Sequence, residues 1–81
     1  MKVVLSKAAE KYFIRLNEPT LSRVRNALAA LAQKPPQGDI KKLEGRDEHR
    51  LRIGNYRALF KIEGDRILII SIAPRGQAYK E

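Results

Sequence analysis

The stretch HRLRIGNYR, residues 49–57, brings three arginines and the chain's only histidine close together around a Gly54-Asn55 pair. Such a pair suits a two-residue hairpin turn, which sets Ile53 opposite Tyr56 and Arg52 opposite Arg57. Like charges directly opposite each other destabilise a sheet. Arginine is always ionised, and its planar fork of donors fits phosphate oxygens. The chemistry open to these residues is therefore the gripping of an anion, and a bound polyanion would remove their mutual repulsion. Arg75 and Tyr79, in the tail APRGQAYKE, add a cation and an aromatic ring that can stack on a base or handle a proton.

The elements that must position these groups can be read from periodicity. KVVL, residues 2–5, is a β-rich run, and Ser6 stands where a helix N-cap belongs. Ala9, Tyr12, Phe13 and Leu16 recur at helical spacing, predicting a first helix over about Lys7 to Leu16. Pro19 breaks it and opens a second helix to about Gln33, with an apolar stripe of Leu21, Val24, Leu28 and Leu31. KPPQGD, residues 34–39, is a loop, and IKKLEGR has short strand-like character ending in a turn at Gly45. From His49 the period becomes two. HRLRI and YRALFKI read as strands, and after the turn EGD at residues 63–65 the apolar run RILIISI reads as a third. The order β-α-α-β-β-β predicts an α+β domain spanning residues 1–81. Its small antiparallel β-sheet carries an N-terminal helical hairpin on one face.

Alternation then sorts the faces. A three-residue turn at 63–65 sets Ile62 opposite Arg66 and Arg57 opposite Ser71. The core face then holds Leu51, Ile53, Ala58, Phe60, Ile62, Leu68, Ile70 and Ile72. The other face carries Arg50, Arg52, Arg57, Lys61, Ser71 and Arg75, with Leu59, Ile67 and Ile69 as an apolar floor. Any one of these arginines, taken singly, reads as an ordinary solvated side chain. The convergent set reads as an anion site.

Bulk composition agrees. The chain has 81 residues and a net charge of +8, from 17 Lys and Arg against 9 Asp and Glu, which points to an anionic partner. There are no cysteines, so disulfides and thiolate metal sites are excluded. No apolar run approaches the length of a membrane span, and MKVVLSKAAE lacks the long apolar segment of a secretory signal. The expectation is a cytoplasmic protein without membrane partners.

Three segments together, KKLEG, HRLRIGNYRALFKI and ILIISIAPRGQAY, resemble the RelE/ParE superfamily of toxins from prokaryotic type II toxin–antitoxin pairs, specifically its RelE-like branch. The resemblance spans nearly the whole chain and is most specific in RLRIGNYR and APRGQAYK. It implies a RelE-like fold and a ribosome-dependent mRNA endoribonuclease, an mRNA interferase that cleaves A-site codons. In the implied reaction the RNA 2′-hydroxyl attacks the adjacent phosphate and the 5′-oxygen leaves, with no metal or cofactor. The implied catalytic residues are Arg50, Arg52, Arg57, Arg75 and Tyr79. Arg57 and Arg75 are assigned to phosphate and transition-state charge, Arg50 and Arg52 to the RNA backbone and to assisting protons. Tyr79 is assigned to base stacking or proton transfer. Lys41, Lys42, Arg46 and Lys61 are RNA-binding candidates. The implied partners are a RelB-like antitoxin, the ribosome and mRNA, with Leu59, Ile67 and Ile69 as candidate antitoxin contacts.

The general base stays open. Some members carry lysines on the strand before the hairpin, whereas this chain has Arg50 and Arg52, which do not give up a proton. His49 has the parity of Leu51, away from the arginines, and Glu48 reads as an exposed hairpin acid. Two other functions remain open: a ParE-like inhibitor of DNA gyrase, and a nucleic-acid- or antitoxin-binding module without catalysis.

Overall fold

The structure is a computed structural model and describes residues 1–75. Strand β1 (Lys2–Leu5) leads into helix α1 (Lys7–Phe13), and Ser6 links the two. Its Oγ accepts a hydrogen bond from the Ala9 N–H at 3.0 Å and donates to the Ile70 carbonyl at 2.6 Å. One side chain therefore caps the helix and ties it to the sheet. Helix α1 stops short of Leu16. Ile14 is its C-cap, and the N–H groups of Arg15 and Leu16 bond to Tyr12 and Phe13, three residues back, which tightens and ends the helix.

Helix α2 (Thr20–Leu31) has Pro19 at its N-cap and Ala32 at its C-cap, a residue or two inside the expected limits. Its apolar stripe turns inward: Val24, Leu28 and Leu31 are buried. The strands β2 (Asp39–Lys42), β3 (His49–Ile53), β4 (Tyr56–Glu63) and β5 (Arg66–Pro74) follow. The expected α+β class holds, with two particulars added. The sheet has five strands in the order β1-β5-β4-β3-β2, because the strand-like IKK segment pairs with β3. Every pairing is antiparallel except β1 with β5, which is parallel.

Both helices cover one face. Beneath them Leu51, Phe60, Ile67 and Ile69 are at most 1% exposed, and the core also takes Ala9, Ile53, Ala58 and Ile72. Each large apolar side chain buried in this way contributes about 1.5–3 kcal/mol. The β3–β4 register is the expected one: Leu51 opposes Ala58, Arg52 opposes Arg57, and Ile53 opposes Tyr56. Gly54 has φ +58° and Asn55 does not share the positive sign, the pattern of a II′ turn.

The β4–β5 register differs from expectation. The turn has two residues, Gly64 and Asp65, with Glu63 opposite Arg66 and Ile62 opposite Ile67. Gly64, at φ +63°, supplies the left-handed residue this tight turn requires. Ile67 and Ile69 therefore point into the core, and Leu68 lies on the other face opposite Lys61. A β-bulge beside Leu59 and Phe60 inserts Ile70, outside the buried core, and resets the parity so that Ile72 is buried and Ser71 opposes Leu59. Ile67 and Ile69 thus form no apolar floor on the open face. Ile62, expected in the core, is 45% exposed, one pair from the Gly64-Asp65 turn.

Candidate nucleic-acid interface

Cross-strand pairing arranges the face away from the helices in rows. Nearest the hairpin tip lie Asp39, Arg52, Arg57 and Ala73; the next row is Lys41, Arg50, Leu59 and Ser71. Further on, Lys61 opposes Leu68, and Lys61 Nζ stands 4.0 Å from a Glu48 oxygen. Directly opposed residues share a face, so Arg50, Arg52, Arg57, Lys41 and Lys61 project together from three adjacent strands. Arg50, Arg52, Arg57 and Lys61 thus lie on the face expected of them, and Lys41 joins them there.

Their environments differ. Arg50 is largely enclosed, with its side chain 13% exposed and 3.8 Å from Asp39 Oδ1. Arg52 is exposed. Arg57 is half-buried, and its Nη1 donates to the Tyr56 carbonyl at 3.3 Å, a long bond that leaves most of its fork available. Leu59 lies in this cationic field but is only 5% exposed, so it offers little surface to a protein partner. Ile67 and Ile69, fully buried, offer none.

Arg75 is exposed just past the end of β5, and its backbone N–H donates to the Asn55 carbonyl at 2.7 Å. This bond holds the end of the described chain against the hairpin tip, one row beyond Arg52 and Arg57. Tyr79 lies outside the described residues.

The remaining candidates separate. Lys42 has the parity of His49, on the helix side, and its ammonium donates to the Arg46 carbonyl. Arg46 Nε is bonded to Glu48 Oε1 at 2.8 Å. Glu48 is not the exposed acid expected: its side chain is 20% exposed. The hydrogen bond from Arg46, with the charges of Arg46 and Lys61, holds its carboxyl below the usual range, against some opposing desolvation. A carboxylate stabilised in this way is a poor proton acceptor. His49 stacks on Phe60 with centroids 5.2 Å apart, facing away from the arginines, and its buried Nδ1 has no hydrogen-bond partner among the described residues. The residue that sequence reasoning missed is Asp39, the acid beside Arg50 and Arg52. Its signal was the alternation in DIKK, where Ile40 packs against the core opposite Leu51.

A family model described as the ParE toxin of type II toxin-antitoxin system, parDE, matches residues 3–79. The chain belongs to the RelE/ParE superfamily of type II toxins. Among solved structures, the archaeal RelE-RelB complex from Pyrococcus horikoshii OT3 is similar at 28% identity, with a TM-score of 0.78 over 95% of this chain and 97% of that one. The isolated E. coli RelE toxin matches at 14% identity and TM-score 0.77, covering 94% of this chain and 85% of that one. A chain of the YoeB-YefM complex from Staphylococcus aureus matches at 20% identity and TM-score 0.70, covering 89% and 93%. These last two are likenesses of fold. No curated protein sequence matches. Among the described residues of this toxin, no helix is long and apolar enough to cross a membrane.

Proposed function

We propose that this toxin is an mRNA interferase of the RelE kind, acting on message in the ribosomal A site. The observation that carries the reading is the convergence of Arg50, Arg52 and Arg57 on the open sheet face, with Arg75 tied to the same hairpin tip. In the assigned reaction the 2′-oxygen bonds to the adjacent phosphorus and the 5′-oxygen departs, leaving a 2′,3′-cyclic phosphate and a 5′-hydroxyl. Charge builds on the phosphate oxygens as the pentacoordinate state forms. Fixed guanidinium groups aimed at those oxygens stabilise that charge without reorganising. Arg57 and Arg75 take this role. Arg50 and Arg52 hold the flanking backbone, and holding the ribose and phosphate in line supplies much of the remaining acceleration.

Proton transfer falls to Tyr79 or to water. Glu48 is kept a weak base by Arg46, and His49 faces the helices. Lys41 and Lys61 extend the positive field along the RNA. In the proposed toxin–antitoxin pair the partner is an antitoxin of the RelB kind, as in the RelE-RelB structures this chain is similar to. The setting is the cytoplasm, where ribosomes are.

A second reading has its own observation. The family model that matches carries the ParE description, and ParE-type members inhibit DNA gyrase. Mapping of cuts in ribosome-bound message, run beside a gyrase supercoiling assay, tests the two. Cuts within A-site codons with supercoiling intact support the interferase. Blocked supercoiling with uncut message supports the gyrase inhibitor.

A further inference from the structure

Arg50 is largely withdrawn from water, whereas Arg52 on the same face is exposed. A charge enclosed in this way needs a partner. Arg50 stands between Lys41 and Leu59 in its row, and neither side chain accepts a hydrogen bond. Among the described residues its one ion pair is with Asp39, from Nη2 to Oδ1. No other acid among them pairs with Arg50, Arg52 or Arg57.

The fold fixes where that carboxylate stands. Asp39 opens β2 directly opposite Arg52 and so shares the open face. The residue before it is Gly38, where a Cβ would come within 2.8 Å of Cδ1 of the buried Leu51. The bare backbone of Gly38 therefore lets the head of β2 lie close against β3. The Asp39 side chain itself is 58% exposed. An ion pair this open to water adds little to stability, so folding alone does not account for it.

We propose that Asp39 is a positioning residue for Arg50, fixing its guanidinium beside the row of Arg52 and Arg57 while weakening the grip on RNA. The inference rests on the ribonuclease reading for its effect on cutting. The ion pair runs diagonally from Asp39, in the row of Arg52 and Arg57, to Arg50 in the next row. It engages Nη2 and leaves Nε and Nη1 to donate to a phosphate. A carboxylate beside a phosphate repels it, so Asp39 lowers affinity. The same carboxylate stops the guanidinium from sweeping between phosphates, and a fixed donor serves an in-line reaction better than a mobile one. Affinity and rate therefore move in opposite directions when the charge is removed.

The test measures affinity for a short oligoribonucleotide and the single-turnover rate of cutting in ribosome-bound message. Asp39→Asn keeps the shape and removes the charge. It is expected to bind about threefold tighter, the equivalent of one exposed ion pair, and to cut about tenfold more slowly. Asp39→Glu keeps the charge at an exposed position and is expected to restore the parent affinity and most of the rate. Glu10→Gln, on α1 across the sheet, makes the same change in net charge and is expected to leave both values at the parent level. The proposal is overturned if Asp39→Asn binds no tighter than Glu10→Gln, if it cuts as fast as the parent, or if Asp39→Glu is as slow as Asp39→Asn. Tighter binding by Asp39→Asn, where the parent leaves message uncut, would uphold the influence of Asp39 on the RNA site and refute the ribonuclease reading instead.

Discussion

Arg52 and Arg57 face each other across the β3–β4 hairpin as directly opposed partners. Folding alone gives no reason for this. Asp39 on the far side of Arg52 offsets part of the repulsion, but Ala73, on the far side of Arg57, does not. The proposed RNA site supplies a reason, because a phosphate bound between the two guanidinium groups would neutralise the pair.

Arg57→Ala should therefore separate stability from toxicity. Removing a like-charge pair relieves a few tenths of a kcal/mol, and the Tyr56 carbonyl near the surface can turn to water. We expect thermal stability equal to or slightly above that of the parent and toxicity abolished. Growth arrest on induction, measured beside a melting curve, checks both. A fully toxic Arg57→Ala would remove this residue from the mechanism.

The bulged β4–β5 register makes a second claim that can be measured. Ile69 is fully buried, whereas its neighbour Leu68 lies on the open face. Ile69→Ala should cost about 2–5 kcal/mol, and Leu68→Ala well under half of that. Denaturant unfolding of the two variants compares them directly. Equal losses would mean the register is wrong.

Acid should destabilise the fold in a defined window. Glu48 is lowered by the Arg46 hydrogen bond and Asp65 by the hydrogen bond from Lys34, at 2.7 Å. In each case the unfolded chain takes up its proton first as pH falls. The contribution is thus present above the ordinary carboxylate range and lost as pH drops through the lower folded value. Stability should hold from neutrality to about pH 5 and fall below it. Glu48→Gln should flatten that decline, and an unchanged acid limb in the variant would contradict the Arg46 pairing.

RNA binding should depend steeply on salt. Contacts from Arg50, Arg52, Arg57 and Arg75 to a single strand predict a slope of log affinity on log salt of about −3, from roughly −0.7 per phosphate. Filter binding of a short oligoribonucleotide across a range of chloride concentrations gives the slope. A value near zero would mean the arginines do not touch phosphate.

Much of this was legible in the chain. The alternation of Leu51 and Ile53 with Arg50 and Arg52, closed by Gly54-Asn55, determined the first hairpin and its cationic face. Ser6 marked the start of α1. The run ILIISI, by contrast, has a single polar residue, Ser71, so both parities look nearly equally apolar and its register was open to a one-residue slip. Only the tight turn at Gly64 and the bulge at Ile70 decide it. Asp39 and Glu48 were obscure for another reason. Their importance lies in partners on other strands, and no local pattern announces an ion pair.

The central claim is that these guanidinium groups act together on one ribonucleotide linkage. Sequencing the ends of ribosome-bound message after exposure to the parent and to Arg57→Ala tests it most directly. The account predicts cuts confined to A-site codons, ending in 2′,3′-cyclic phosphate, with the parent and none with the variant. Intact message with the parent, or the same cuts with both proteins, would contradict it.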